Sequence, residues 1–199
     1  VNGGFMNSGQ IGASDDRVGQ QGIFVGGQVS GNFLNEGDIF SQQAGIQLND
    51  GGTSLSGSFT NTGTIDSSGN NAILVNGNIG SFFTNTGSLL ASSGRGISIG
   101  NSVSGNFTNS GQIGASDDRV GQQGIFVGGL VTGNLLNEGD IYSSQSGIHL
   151  NGGGVSLAGS FTNSGMIDSS GGDAIFLNAD LGNSFNNTGA LFASSGRGI

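Results

Sequence analysis

Self-repetition is the feature of this sequence that most constrains its folding. Residues 1–97 return at 103–199 with an offset of 102, and 70 of the 97 aligned positions are identical. Inside each copy a shorter pattern, Phe-x-Asn-x-Gly-x-Ile, occurs four times. It begins at Phe5, Phe33, Phe59 and Phe83 in the first copy and at Phe107, Leu135, Phe161 and Phe185 in the second. Its Asn is present in every instance: Asn7, Asn35, Asn61, Asn85, Asn109, Asn137, Asn163 and Asn187. A Gly follows each Asn by two residues, and the closing apolar residue is Ile except at Leu89 and Leu191. A unit of about two dozen residues is too small to bury an apolar face alone, so such units gain a core only by stacking on one another.

Successive pattern starts lie 28, 26, 24 and 24 residues apart from Phe5 to Phe107, and 28, 26 and 24 apart from there to Phe185. After the Ile, a Gly-Ile or Ala-Ile step (Gly22-Ile23, Gly45-Ile46, Ala72-Ile73, Gly96-Ile97) leads to an apolar residue two positions on, at Val25, Leu48, Val75 and Ile99. A further apolar residue, Val29, Leu55, Ile79 or Val103, always stands four residues before the next pattern start. Extra length enters at two places only, the 12–21 connection with its copy at 114–123, and the 49–54 connection with its copy at 151–156. Apolar residues two apart, bounded by Gly, Asn, Ser and Asp, mark short strands with one buried face. With 43 Gly and no Pro the composition is unusual, yet 13 Phe at regular spacing argue against disorder.

The spacing predicts an all-β fold, a right-handed parallel β-helix of eight coils of 24–28 residues with three short strands in each. Each strand pairs with its counterpart one coil away, at about 4.8 Å per step, giving a rod roughly 35–40 Å long. Two four-coil units, 1–102 and 103–199, are expected to run on continuously. Because the chain starts and ends inside a repeat, with Val1 and Ile199 carrying no polar cap, it is expected to belong to a longer array or to stack end to end with another subunit.

The Asn column has two readings. As structure, stacked amides hydrogen-bond up and down the rod, with the Gly two residues on relieving a tight bend. As function, a row of amides binds a sugar or water. Asn lies in step with the apolar Phe and Ile, which favours the structural reading.

Repeats such as Gly57-Ser-Phe-Thr-Asn-Thr-Gly-Thr-Ile65, followed by a Gly-Ile or Ala-Ile step, resemble the passenger regions of bacterial autotransporters and related large surface adhesins. The resemblance covers all eight coils. It implies a secreted, cell-surface right-handed β-helix, although these 199 residues include neither a recognisable signal sequence nor a membrane β-barrel. A long unit repeated almost unchanged points to a fibre more than to a passenger carrying an embedded domain.

Charge excludes several partner classes. A net charge of −9 with only four basic residues, all Arg, repels a phosphate backbone and an anionic membrane surface, so neither nucleic acid nor membrane docking is expected. No apolar run approaches the roughly 20 residues that span a bilayer. Cysteine is absent, which removes disulfides and thiolate metal sites.

The longest run shared by the copies holds an acidic connection, Ser14-Asp15-Asp16-Arg17, mirrored in Ser116-Asp117-Asp118-Arg119. Either these are repeated ligand or calcium contacts, or they are solvated acidic turns with Arg pairing locally to Asp; the second is favoured. A fragment, Gly171-Gly172-Asp173, resembles the calcium-binding nonapeptide but does not repeat. Glycan-cleaving β-helices need paired carboxylates or basic residues in a cleft. This chain has no Lys and a single His, His149, where the first copy carries Gln47, so no catalysis and no cofactor are expected, and His149 reads as an outward substitution. A Thr column at Thr60, Thr84, Thr108 and Thr162 is broken by Met6, Leu34, Leu136 and Asn186, which is poor for an ice-binding plane.

Outward positions on the third strand carry Phe24, Leu74, Phe126 and Phe176, and apolar residues recur outward at Phe40, Leu90, Tyr142 and Phe192. Aligned in stripes they would pack rods laterally. The functional expectation is a structural repeat of an extracellular bacterial fibre or stalk, self-associating end to end and laterally, serving adhesion or biofilm matrix. The alternative is an adhesin that binds a glycan or host surface through the acidic loops.

Overall fold

A computed structural model of the chain describes residues 1–48, 55–151, 155–178 and 180–199. It is a parallel β-solenoid, with no helix among the described residues. The chain winds around three long sheets. The first holds eight strands, from Phe5–Asn7 to Phe185–Asn187; the second holds seven, from Ile39–Ser41 to Ala190–Ala193; the third holds seven, from Ile23–Val25 to Ile175–Leu177. In each sheet a strand's neighbour is its counterpart one coil away, and every pairing is parallel. The fourth apolar position forms single parallel bridges, Val29 to Leu55 to Ile79 to Val103 to Val131 to Leu157.

Unequal coil lengths leave the register untouched. Phe5 pairs with Phe33 across 28 residues, Phe33 with Phe59 across 26, and Phe59 with Phe83 across 24. A one-residue slip would turn every inward side chain outward, so the buried face holds the register and surplus residues are looped out. In the first coil, Ile11 bridges Ile39 and Val18 bridges Ser41, and residues 12–17 bulge between these two anchors. Val120, the copy of Val18, bridges Ser143 and is completely buried. The other extra segment, at 49–54 with most of its copy at 152–154, lies outside the described residues.

Inside, like stacks on like. Phe5, Phe33, Phe59, Phe83 and Phe107 form one pile, with centroids 4.6–5.1 Å apart and planes tilted by 3–13°. Phe33, Phe59, Phe83, Phe107 and Phe161 are fully buried, each worth roughly 1.5–3 kcal/mol by area removed from water. Leu135 interrupts the pile, and beyond it Phe161 and Phe185 meet edge to face at 5.2 Å.

Beside the rings runs a continuous amide ladder. Asn7 Nδ2 donates to Asn35 Oδ1 at 2.8 Å, and the same bond recurs coil by coil to Asn187 at 2.7–2.8 Å. The second proton of each Nδ2 goes to the carbonyl two residues on, as from Asn61 to Gly63 at 3.0 Å. The six inner Asn side chains, Asn35 to Asn163, are thereby buried with both amide protons and the carbonyl oxygen satisfied.

The Gly beside each Asn has a different cause from the tight bend expected. Positive φ among the described residues is confined to Gly3, Gly12 and Gly114. At Gly37 a Cβ would collide with the Gly9 carbonyl oxygen one coil away, and the same holds at Gly63, Gly87, Gly111, Gly139, Gly165 and Gly189. Close approach of stacked backbones, not turn geometry, excludes a side chain there.

Candidate functional site

Two outward regions carry the polar chemistry. The first is the acidic loop. Gly12 turns it with φ of 69°, Ala13 and Asp16 exchange backbone hydrogen bonds at 2.9 and 3.2 Å, and Asp15 and Asp16 stand exposed. The copy behaves alike, with Gly114 at 68°, Ala115 bonded to Asp118, and Asp117 exposed beside it. Among the described residues no group of three or more His, Cys, Asp or Glu is placed to hold a metal ion.

Arginine in this loop does not pair locally, which corrects that part of the sequence reading. Arg17 passes over the ring of Phe40 in the next coil, 6.0 Å from its centroid, and reaches Asp66 one coil further. Its two terminal nitrogens donate to the Asp66 carbonyl at 2.8 Å and carboxylate at 2.6 Å. Arg119 repeats this over Tyr142 to Asp168, at 2.7 and 2.6 Å. Local Asp15 and Asp16 sit on the turn's outer side, so the long side chain instead lies down across the sheet, where its stem covers apolar surface. The loop is a staple joining three coils.

The second region is the outer face of the third sheet. Registers place Phe24, Gln47, Leu74, Ser98, Phe126, His149 and Phe176 in one column. The apolar stripe expected here is therefore interrupted, with a polar residue between each apolar pair. The second sheet is broken similarly, Asp66 lying between Phe40 and Leu90, and Asp168 between Tyr142 and Phe192. Adjacent apolar groups are thus two coil steps apart, about 9–10 Å, and most are half-buried by their neighbours.

His149 is less solvated than an outward substitution would be. Its ring stands edge-on between Phe126 and Phe176, with centroids 5.3 and 4.6 Å away, and its Nε2 is buried without a hydrogen-bond partner. Burial, with a contribution from the positive charge of Arg95, holds the imidazole below the ordinary histidine range. Beside it Gln145, Asp173, Phe176 and Ser195 line an open groove of about 410 Å³.

In the middle coil of this face, just before the strand Ile97–Ile99, lies Arg95, which the sequence reading passed over. Its guanidinium sits 4.3 Å from the centroid of Phe126, its Nε donates to Gln123 Oε1 at 2.6 Å, and Nη1 to Ser98 Oγ at 3.3 Å. Gln123 in turn donates to Gln145 Oε1 at 2.7 Å, so a polar row runs beside the ring column. Burial pushes the Arg95 guanidinium below its usual value. At the far end Arg197 binds Asp173, Nη2 to Oδ2 at 2.8 Å, and holds that carboxyl below the usual carboxylate range. The available signal in the sequence was the difference between copies: Asn71 stands where the second copy has Asp173, so Arg95 lacks the acid that Arg197 has.

The Asp-rich loops and the third-sheet face do not converge. Arg17 and Arg119 point the loops toward the second sheet, while Phe24, Leu74, Phe126 and Phe176 lie on the third. No known protein family, curated protein or solved structure matches this chain.

Proposed function

We propose that this chain is a structural repeat of an extracellular bacterial fibre or stalk, serving adhesion or a biofilm matrix and catalysing nothing. One observation carries the reading: the joint between the two copies is built like the joints within them. Phe83 pairs with Phe107 in the same register as Phe59 with Phe83, the rings are 4.6 and 5.1 Å apart, and Asn85 donates to Asn109 at 2.8 Å as Asn61 donates to Asn85. A four-coil block that receives a copy of itself in unbroken register of its ring and amide columns can be repeated indefinitely, and what it makes is length. Core columns fill the interior, and the polar staples lie across coils, where they resist separation along the axis. The surface location rests on the likeness of the repeats to adhesin passengers.

Tandem proteins of two, four and six blocks test the extending role by small-angle scattering. The long dimension is expected to grow by about 19 Å per block, four coil steps, at constant cross-section. Growth in cross-section, or a long dimension that stops increasing, overturns the reading. The location is tested by labelling intact producing cells with an antibody to the folded block; signal only after lysis refutes it.

A further inference from the structure

Three of the four arginines are neutralised by a carboxylate: Arg17 by Asp66, Arg119 by Asp168 and Arg197 by Asp173. Arg95 has no carboxylate partner among the described residues, and its Nη2 donates to none of them. The cause is a single exchange between the copies. Asn71 Oδ1 accepts the Arg95 backbone N–H at 2.8 Å, and Asp173 Oδ1 accepts that of Arg197 at 2.7 Å, so the backbone role is the same while only the second copy sets an acid beside its arginine. A half-buried guanidinium lying on an aromatic ring without a counter-ion is a ready partner for an incoming carboxylate, which it can meet with charge-assisted hydrogen bonds.

What lies next to it narrows the ligand. Along the axis the amides of Gln123 and Gln145 continue the polar row, and Gln145 and Phe176 open into the groove of about 410 Å³, a volume suited to a small ligand. Amides and hydroxyls beside aromatic edges match the alternating hydroxyl and C–H surfaces of sugar rings. A polyanion such as a polyphosphate is disfavoured, because a chain of net charge −9 offers it one free arginine among the described residues, enough for a single carboxylate.

We propose that the third-sheet face around Arg95 and the adjoining groove binds an acidic saccharide, with a sugar carboxylate on Arg95 and ring hydroxyls on the amide row. The site goes beyond the extending role and does not depend on it, since a single 199-residue chain contains all its residues.

The test is calorimetric titration of the whole chain with a β-1,4-linked mannose tetrasaccharide in which one residue is mannuronate, with mannotetraose, which bears CH₂OH in place of that one carboxylate, and with acetate. The mannuronate-bearing tetrasaccharide is expected to bind at least tenfold tighter than either control. Asn71→Asp gives Arg95 the partner that Arg197 already has; it should fold, hold its melting temperature or raise it, and lose at least tenfold in mannuronate affinity. Asp15→Asn, in the acidic loop, should bind as the parent does. Equal affinity for mannotetraose overturns the carboxylate contact, acetate binding as tightly overturns saccharide recognition, and unchanged binding by Asn71→Asp removes Arg95 from the site. Absence of heat with mannuronate at millimolar concentration overturns the whole proposal. Should Asn71→Asp misfold by circular dichroism, Arg95→Gln is measured in its place against the same criteria.

Discussion

The inward columns and the outward column of the third sheet follow opposite rules. Inward, Asn occupies one position in all eight coils, whereas outward the seven aligned residues are Phe, Gln, Leu, Ser, Phe, His and Phe. An inward side chain is shut off from water and meets the coil above, the coil below and, for Asn, a carbonyl of its own coil. Identity is the simplest way to satisfy both neighbouring coils, since an amide donates upward and accepts from below, and a ring lies flat on a ring. An outward side chain has water as an alternative partner and tolerates change. The two copies of the third-sheet face show what that freedom permits. Gln47 accepts from Gln21 at 3.2 Å, while His149, in the same place, accepts nothing at Nε2 and wedges between two Phe rings.

The comparison breaks first at the ring pile. Phe83→Ala should cost about 3–5 kcal/mol, read as a shift in urea midpoint, whereas Phe24→Ala, with Phe24 54% exposed on the outer column, should stay within about 0.5 kcal/mol; equal costs would abolish the distinction. Next is the ladder. Asn109→Ala leaves one proton of Asn85 and the Oδ1 of Asn137 buried without partners, a loss of about 2–4 kcal/mol, and hydrogen exchange should quicken in the coils on both sides. A smaller effect belongs to the staples. Arg119→Met keeps most of the covering stem and removes the bonds to Asp168, costing about 1 kcal/mol or less; a larger loss would move the staples into the class of the core.

The smallest effect is the dependence on pH at His149. Its folded pKa is depressed, so the unfolded chain binds the proton more readily. Stability is full above the unfolded value of about 6.5 and declines as the pH falls from there toward the folded value. Denaturation followed from about pH 7.5 to pH 5 should show this decline in the parent, and His149→Gln, which restores the residue of the first copy, should flatten it. An unchanged slope in that variant would assign the titration elsewhere. The Asp173 pairing behaves in the same direction in a lower window, contributing above the unfolded carboxylate value and lost as the pH falls through its depressed folded value.

Most of the architecture could be read in the sequence. Ile23 and Val25, Ile46 and Leu48, Ile73 and Val75 announce a strand with one buried face, and the invariant spacing around them announces stacking. What could not be read is how outward residues meet. Arg17 and Asp66 are 49 positions apart with nothing in their local pattern to link them, and Asp15 and Asp16, the acids beside Arg17, are not its partners. The Gly after each Asn was legible as a requirement, but its reason was not. Only the superposed backbone of the previous coil reveals that a Cβ at Gly37 would strike Gly9.

The sequence by itself determined the coil, its register and the contents of its interior, because period-two burial and exact recurrence admit one way of stacking like on like. The tertiary structure alone decided the surface: which arginine reaches which acid, why Arg95 has none, and where a groove opens beside His149. Those contacts join residues from different coils, and they depend on how far a looped-out segment and a long side chain extend across the sheet, which no spacing along the chain encodes.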